Sequence, residues 1–109
     1  MLEFGKVNQE LNLAVIARSS GNEGKMRVHA RRAAGWAIRS CLQKDSNDRT
    51  GKSAFAYLEQ VALDPSFPDE IREASSNLTV RITVEHQLPI ETDIIDDARL
   101  VVSYFADFM

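Results

Sequence analysis

Alanine spacing in residues 24–42 constrains the fold of this chain more than any other feature. The small and apolar residues recur every three or four positions, namely Ala30, Ala33, Ala34, Ala37, Ile38 and Cys41. This spacing places them on one face of a helix. Small side chains allow a neighbouring helix to approach closely. Gly35 weakens a helix by about 1 kcal/mol relative to alanine, so we expect it at a tight helix crossing.

The rest of the chain has the same helical periodicity. It predicts helices over 2–18, 23–43, 53–63 and 68–87, and a last helix for which Thr92 is the N-cap. Leu88 and Pro89 are expected to end the fourth helix. A length of 109 residues favours a single domain spanning 1–109. Short connections between helices predict an all-α, four- to five-helix antiparallel up-and-down bundle.

Composition excludes extensive disorder, because 44% of the residues are hydrophobic and 27% are charged. The charges are unevenly spread: residues 1–52 hold ten Lys and Arg against five Asp and Glu, and residues 53–109 hold three against eleven. Two such halves suggest patches that attract each other within one chain or between two chains. The single Cys41 and the absence of a recognisable signal peptide predict a cytoplasmic protein. No apolar run is long enough for a membrane span.

Basic residues and a tryptophan are spaced along the predicted second helix. The candidate binding residues for nucleic acid or an acidic partner are Arg27, Arg31, Arg32, Trp36 and Arg39. Guanidinium groups bind phosphates and carboxylates with two hydrogen bonds, and an indole ring can stack on a base. The alternative is that these arginines form ion pairs with Asp93, Asp96, Asp97 or Glu85 of the acidic half.

Arg81 and His86 form the candidate catalytic pair. A metal-independent ribonuclease needs a base that titrates near neutral pH and a cation for the charge that develops on phosphorus, and these two residue types supply them. The alternative is that Arg81 pairs with Glu85 and that His86 is an exposed residue near the helix end. Two histidines and one cysteine provide no metal-ligand spacing, and no phosphate-binding glycine loop is present, so no metal or cofactor is expected.

Several segments resemble the small bacterial HEPN-type helical proteins. They are the run Ala30 to Ile38, the segment from Pro68 to Ala74, Arg81 to His86, Leu88-Pro89, and Ile95 to Arg99. The resemblance covers residues 20–104 and implies a helical bundle that is commonly dimeric. It also implies ribonuclease or RNA-associated roles, or pairing with a minimal nucleotidyltransferase. Arg81 and His86 match the family's catalytic pattern of an arginine followed shortly by a histidine. Ile82 stands where active members usually have a polar residue.

Three functional hypotheses follow. The first is a non-catalytic interaction or self-association module, expected to be a homo-oligomer, most simply a dimer. The second is a HEPN-like module that binds RNA or a nucleotide. The third is a HEPN-like, metal-independent ribonuclease of a toxin–antitoxin pair, with a nucleotidyltransferase-type partner.

Overall fold

The computed structural model describes residues 4–42, 53–80 and 93–107 of the chain. Within these ranges the protein is all-helical, which confirms the predicted fold class of a helical bundle. The helices are α1 (Phe4–Ser19), α2 (Glu23–Leu42), α3 (Ala54–Leu63), α4 (Asp69–Thr79) and α5 (Ile94–Ala106). Among these helices, none combines the length and the apolar character that a membrane crossing would require.

Helix α2 lies at the centre of the bundle and packs against each of the other four helices. Its connection to α1 is short, since Gly21 takes a left-handed backbone conformation (φ +77°) and the Asn22 amide donates to the Ala17 carbonyl at 2.8 Å. This turn pairs α1 and α2 as an antiparallel hairpin. The position of α2 explains its alanines: a helix with neighbours on most sides has little room for larger side chains.

The predicted alanine face is confirmed. Ala30, Ala33, Ala34 and Ala37 are fully buried, and the larger core residues Ile38, Leu58, Ile95 and Phe105 surround them. Gly35 sits at the expected tight crossing. A Cβ atom built there would lie 2.5 Å from Cα and 3.0 Å from the carbonyl oxygen of Ala54. Helices α2 and α3 therefore meet backbone to backbone at this point.

The prediction for the fourth helix was wrong in its length. Helix α4 ends at Thr79, and Val80 has an extended backbone (φ −68°, ψ 134°). The carbonyls of Leu78 and Val80 at this end accept hydrogen bonds from side chains of α2. The remainder of the predicted helix, 81–87, lies outside the described residues.

The N-cap of α5 is Asp93 and not Thr92. The Asp93 carboxylate accepts hydrogen bonds from the amides of Ile95 (3.0 Å) and Asp96 (3.2 Å). It also accepts from the guanidinium of Arg18, at the end of α1, at 3.1 Å. The Asp93 side chain thus caps the N-terminus of α5 and also pairs with Arg18 of α1. The uncharged hydroxyl group of Thr92 could not form such an ion pair.

Candidate interaction surface on the second helix

The five predicted binding residues do not form one surface. Arg27 and Arg31 face the end of α4: Nε of Arg31 donates to the carbonyl of Leu78 at 2.9 Å, and the guanidinium of Arg27 donates to the carbonyl of Val80. The last carbonyls of a helix lack intrahelical donors and carry partial negative charge. These two arginines therefore complete the C-terminus of α4 and hold it against α2.

Local chemistry around these arginines supports a structural role. Burial lowers the pKa of Arg27 from its ordinary value, and the nearby Glu23 carboxylate partly opposes this effect. The guanidinium of Arg31 lies 5.8 Å from the ring centre of Phe55 on α3, within cation–π distance. Arg31 thus joins three helices, α2, α3 and α4.

The alternative, in which these arginines form ion pairs with the acidic half, stays a prediction. Arg27 and Arg31 each donate to a backbone carbonyl at the end of α4. Asp93 pairs with Arg18 of α1, and Asp96 pairs with Arg99 of its own helix at 3.6 Å. Glu85 lies outside the described residues. The Arg27–Arg31 side of α2 faces the end of α4.

A second set of residues on α2 remains on the surface. We call it the α2 stripe, and its members are Lys25, Val28, Arg32, Trp36 and Arg39. The three cations are exposed and lie seven positions apart, namely Lys25, Arg32 and Arg39. On a helix, residues seven positions apart lie about 10.5 Å apart along nearly the same line. Val28 is 41% exposed, and half-buried Trp36 packs its inner part on the core. The stripe is cationic with two apolar side chains between the charges.

Beside the stripe, His29 is bound to α1. Its Nδ1 lies 2.6 Å from Oε1 of Glu10, a hydrogen-bond distance, and the two side chains are only 16% and 12% exposed. This contact holds Glu10 next to His29.

The opposite charge is exposed on the pair formed by α3 and α4. We call this set the acidic surface, and it comprises Glu59, Leu63, Glu70 and Glu73. The three carboxylates are exposed, and Leu63, one turn after Glu59, is 75% exposed. Helices α3 and α4 pack against each other with their apolar residues inward. Their acidic residues consequently point away from the core.

The predicted catalytic pair, Arg81 and His86, lies outside the described residues. Val80, immediately before Arg81, is held by Arg27. In the described ranges, no group of three or more His, Cys, Asp or Glu is arranged to hold a metal ion. Cys41 is buried, and its thiol donates to the carbonyl of Phe105 at 2.9 Å.

The binding set predicted from the sequence did not separate Arg27 and Arg31 from the exposed members of α2, and it did not include Val28. The spacing of seven from Lys25 to Arg39 was the available signal for the exposed side. Comparison of the chain with protein-family models, with curated proteins and with solved structures gave no match.

Proposed function

We propose that this protein is a non-catalytic interaction module that binds an acidic, amphipathic surface of a protein partner through the α2 stripe. The observation that carries this proposal is the regular exposure of Lys25, Arg32 and Arg39 with Val28 and Trp36 between them. A repeat of seven suits a second helix lying lengthwise at a shallow crossing angle. Carboxylates on such a helix meet the cations, and its apolar residues cover Val28 and the outer part of Trp36.

A protein partner fits the stripe better than RNA does. Trp36 packs part of its indole against the core, which reduces the ring face available for stacking on a base. Arg27 and Arg31 are already bound to the end of α4. The chain as a whole has 13 Lys and Arg against 16 Asp and Glu, whereas nucleic-acid-binding domains usually carry a strong excess of positive charge.

The test uses Trp36, the single tryptophan of the chain, as a fluorescent reporter. The probe is a synthetic helical peptide of about 20 residues, with glutamates repeating every ~10.5 Å and leucines between them. We expect saturable binding that changes Trp36 emission and weakens as salt is added. Arg32→Gln should weaken binding roughly five-fold, equivalent to about 1 kcal/mol for an exposed charge pair. Lys6→Gln, an exposed cation on α1, is the matched control and should bind as the wild type does.

Polyuridylate is the competing probe. Saturable, salt-sensitive binding of polyuridylate, with no binding of the acidic peptide, would replace this proposal with the RNA-binding hypothesis. Binding of neither probe would reject the stripe as an interaction site. The HEPN-like ribonuclease remains a prediction that rests on Arg81 and His86. Metal-independent RNA cleavage that His86→Ala abolishes without loss of helicity would favour it over the present proposal.

A further inference from the structure

We infer that the acidic partner of the α2 stripe is the acidic surface of a second copy of this chain. This inference rests on the proposed function and identifies its partner. The stripe and the acidic surface occur on one molecule, and both are exposed there. Neither surface therefore covers the other within the chain. The exposed Lys25 and Arg32 of the stripe and the exposed Glu70 and Glu73 of the acidic surface can each meet a neighbouring copy.

Direct pairing of two α2 stripes is unfavourable. A two-fold axis across α2 would place Arg32 beside Arg32 and Lys25 beside Arg39, since symmetric interfaces use the same patch on both subunits. Like charges placed opposite one another oppose association. Self-association through α2 consequently needs a different surface on the second copy.

The acidic surface supplies the matching chemistry. Glu59, Glu70 and Glu73 provide carboxylates for the exposed cations Lys25 and Arg32. Leu63 has the largest exposed fraction among the large hydrophobic residues of the described ranges. It would lose water contact against Val28 and Trp36, the two apolar members of the stripe. Burial of apolar side chains in the centre, with charges around them, is the usual arrangement of protein interfaces.

A stripe-to-acidic-surface contact uses different patches on the two molecules. Each bound copy then keeps one unused stripe or one unused acidic surface, so association continues into a ring or an open chain of copies. This arrangement differs from the two-fold dimer that the sequence resemblance implies. It also predicts that assembly weakens at high salt, since exposed charges are screened over about 10 Å at 0.1 M ionic strength.

The experiment combines two variants whose defects complement each other. Lys25→Gln/Arg32→Gln removes two cations of the stripe, and Glu70→Gln/Glu73→Gln removes two carboxylates of the acidic surface. Sedimentation velocity should show concentration-dependent oligomers for the wild type and monomers for each variant alone. An equimolar mixture should form only a one-to-one heterodimer, because one stripe and one acidic surface remain intact. Lys6→Gln should associate as the wild type does, and circular dichroism should show equal helicity for all the proteins.

Several results would overturn this inference. They are a wild type that stays monomeric at high concentration, a closed dimer that survives either double substitution, or a mixture that forms no heterodimer. If the wild type is monomeric while the acidic peptide still binds in an Arg32-dependent manner, the proposed function stands and only the second copy as partner is rejected. If the peptide also fails to bind, both proposals are rejected.

Discussion

Nε of Arg31 on α2 donates a hydrogen bond to the carbonyl oxygen of Leu78, 2.9 Å away in the last turn of α4. The neighbouring Arg32 is exposed and points along the α2 stripe. Adjacent arginines on one helix thus have different roles, because successive side chains are rotated by about 100°. One arginine stabilises the fold, and the other is available to a partner.

Substitution should separate these two roles. Arg31→Ala removes a charge-assisted hydrogen bond to a helix end and the contact with Phe55, so we expect a loss of about 1.5 kcal/mol in the free energy of unfolding. Arg32→Ala should change that free energy by less than about 0.5 kcal/mol, as is usual for exposed positions. Urea denaturation of both variants measures the difference. Equal stability of the two variants would contradict the structural role of Arg31.

Gly35→Ala should destabilise the protein although alanine is the better helix former. The new methyl group overlaps Ala54, and forced separation of α2 from α3 should outweigh the propensity gain, with a net loss of about 1–3 kcal/mol. Ala54→Gly should not rescue it, because Cα of Ala54 is itself within 2.5 Å of the added atom. Gly24→Ala is the control: its Cβ would lie 3.8 Å from Oδ1 of Asn22, an ordinary contact. A thermal melt that shows Gly35→Ala to be as stable as Gly24→Ala would disprove the crossing geometry.

The contribution of Asp93 to the stability of the fold should depend on pH. Partial burial opposes ionisation of its carboxyl group, but hydrogen bonds from the Asp96 and Ile95 amides, together with the Arg18 charge, outweigh this and place its pKa below the usual value. The stabilisation from its charge is therefore fully present above the unfolded-state pKa of about 3.9 and declines as pH falls through the lower folded-state pKa.

Asp93→Asn keeps an oxygen for the helix cap and removes the charge that pairs with Arg18. Near neutral pH the wild type should be more stable by about 0.5 kcal/mol, the value expected for an exposed ion pair. The difference should shrink below about pH 4 as Asp93 becomes protonated. Denaturation curves measured from pH 7 to acid conditions test this. A difference that stays constant across that range would exclude the charge as its cause.

The contact between Glu10 and His29 should couple α1 to α2 energetically. Because both side chains are largely buried, removing one leaves a polar group without its partner. A double-mutant cycle with Glu10→Ala, His29→Ala and the combined variant should give a coupling energy of about 0.5–3 kcal/mol. Strictly additive effects would mean that the two side chains contribute independently.

Local sequence patterns predicted much of the fold. The alanine spacing of α2 and the position of Gly35 were sufficient to predict a buried small-residue face and a close crossing, and both were confirmed. These features depend on which side chains share a helix face, and periodicity reports that directly. The bounds of α2 and α3 were predicted to within one residue for the same reason.

The end of α4 could not be predicted in this way. The carbonyls of Leu78 and Val80 accept hydrogen bonds from Arg31 and Arg27, which lie far away in the sequence. Periodicity alone extended the helix toward Pro89. The division of the candidate binding residues between two sides of α2 could not be predicted for a related reason. The spacing of residue types along α2 identifies its faces. Only the packing of α3 and α4 decides which arginines are covered and which remain exposed.

The four buried alanines of α2 have a consequence for how this protein can change. A methyl side chain has no torsion angle to restrict, so this face of α2 becomes buried with no loss of rotamer entropy. For the same reason it cannot rotate to fill a void or to make room. We therefore expect sequence drift to concentrate on the outer line of the helix, where a new binding preference can arise while the inner face stays fixed.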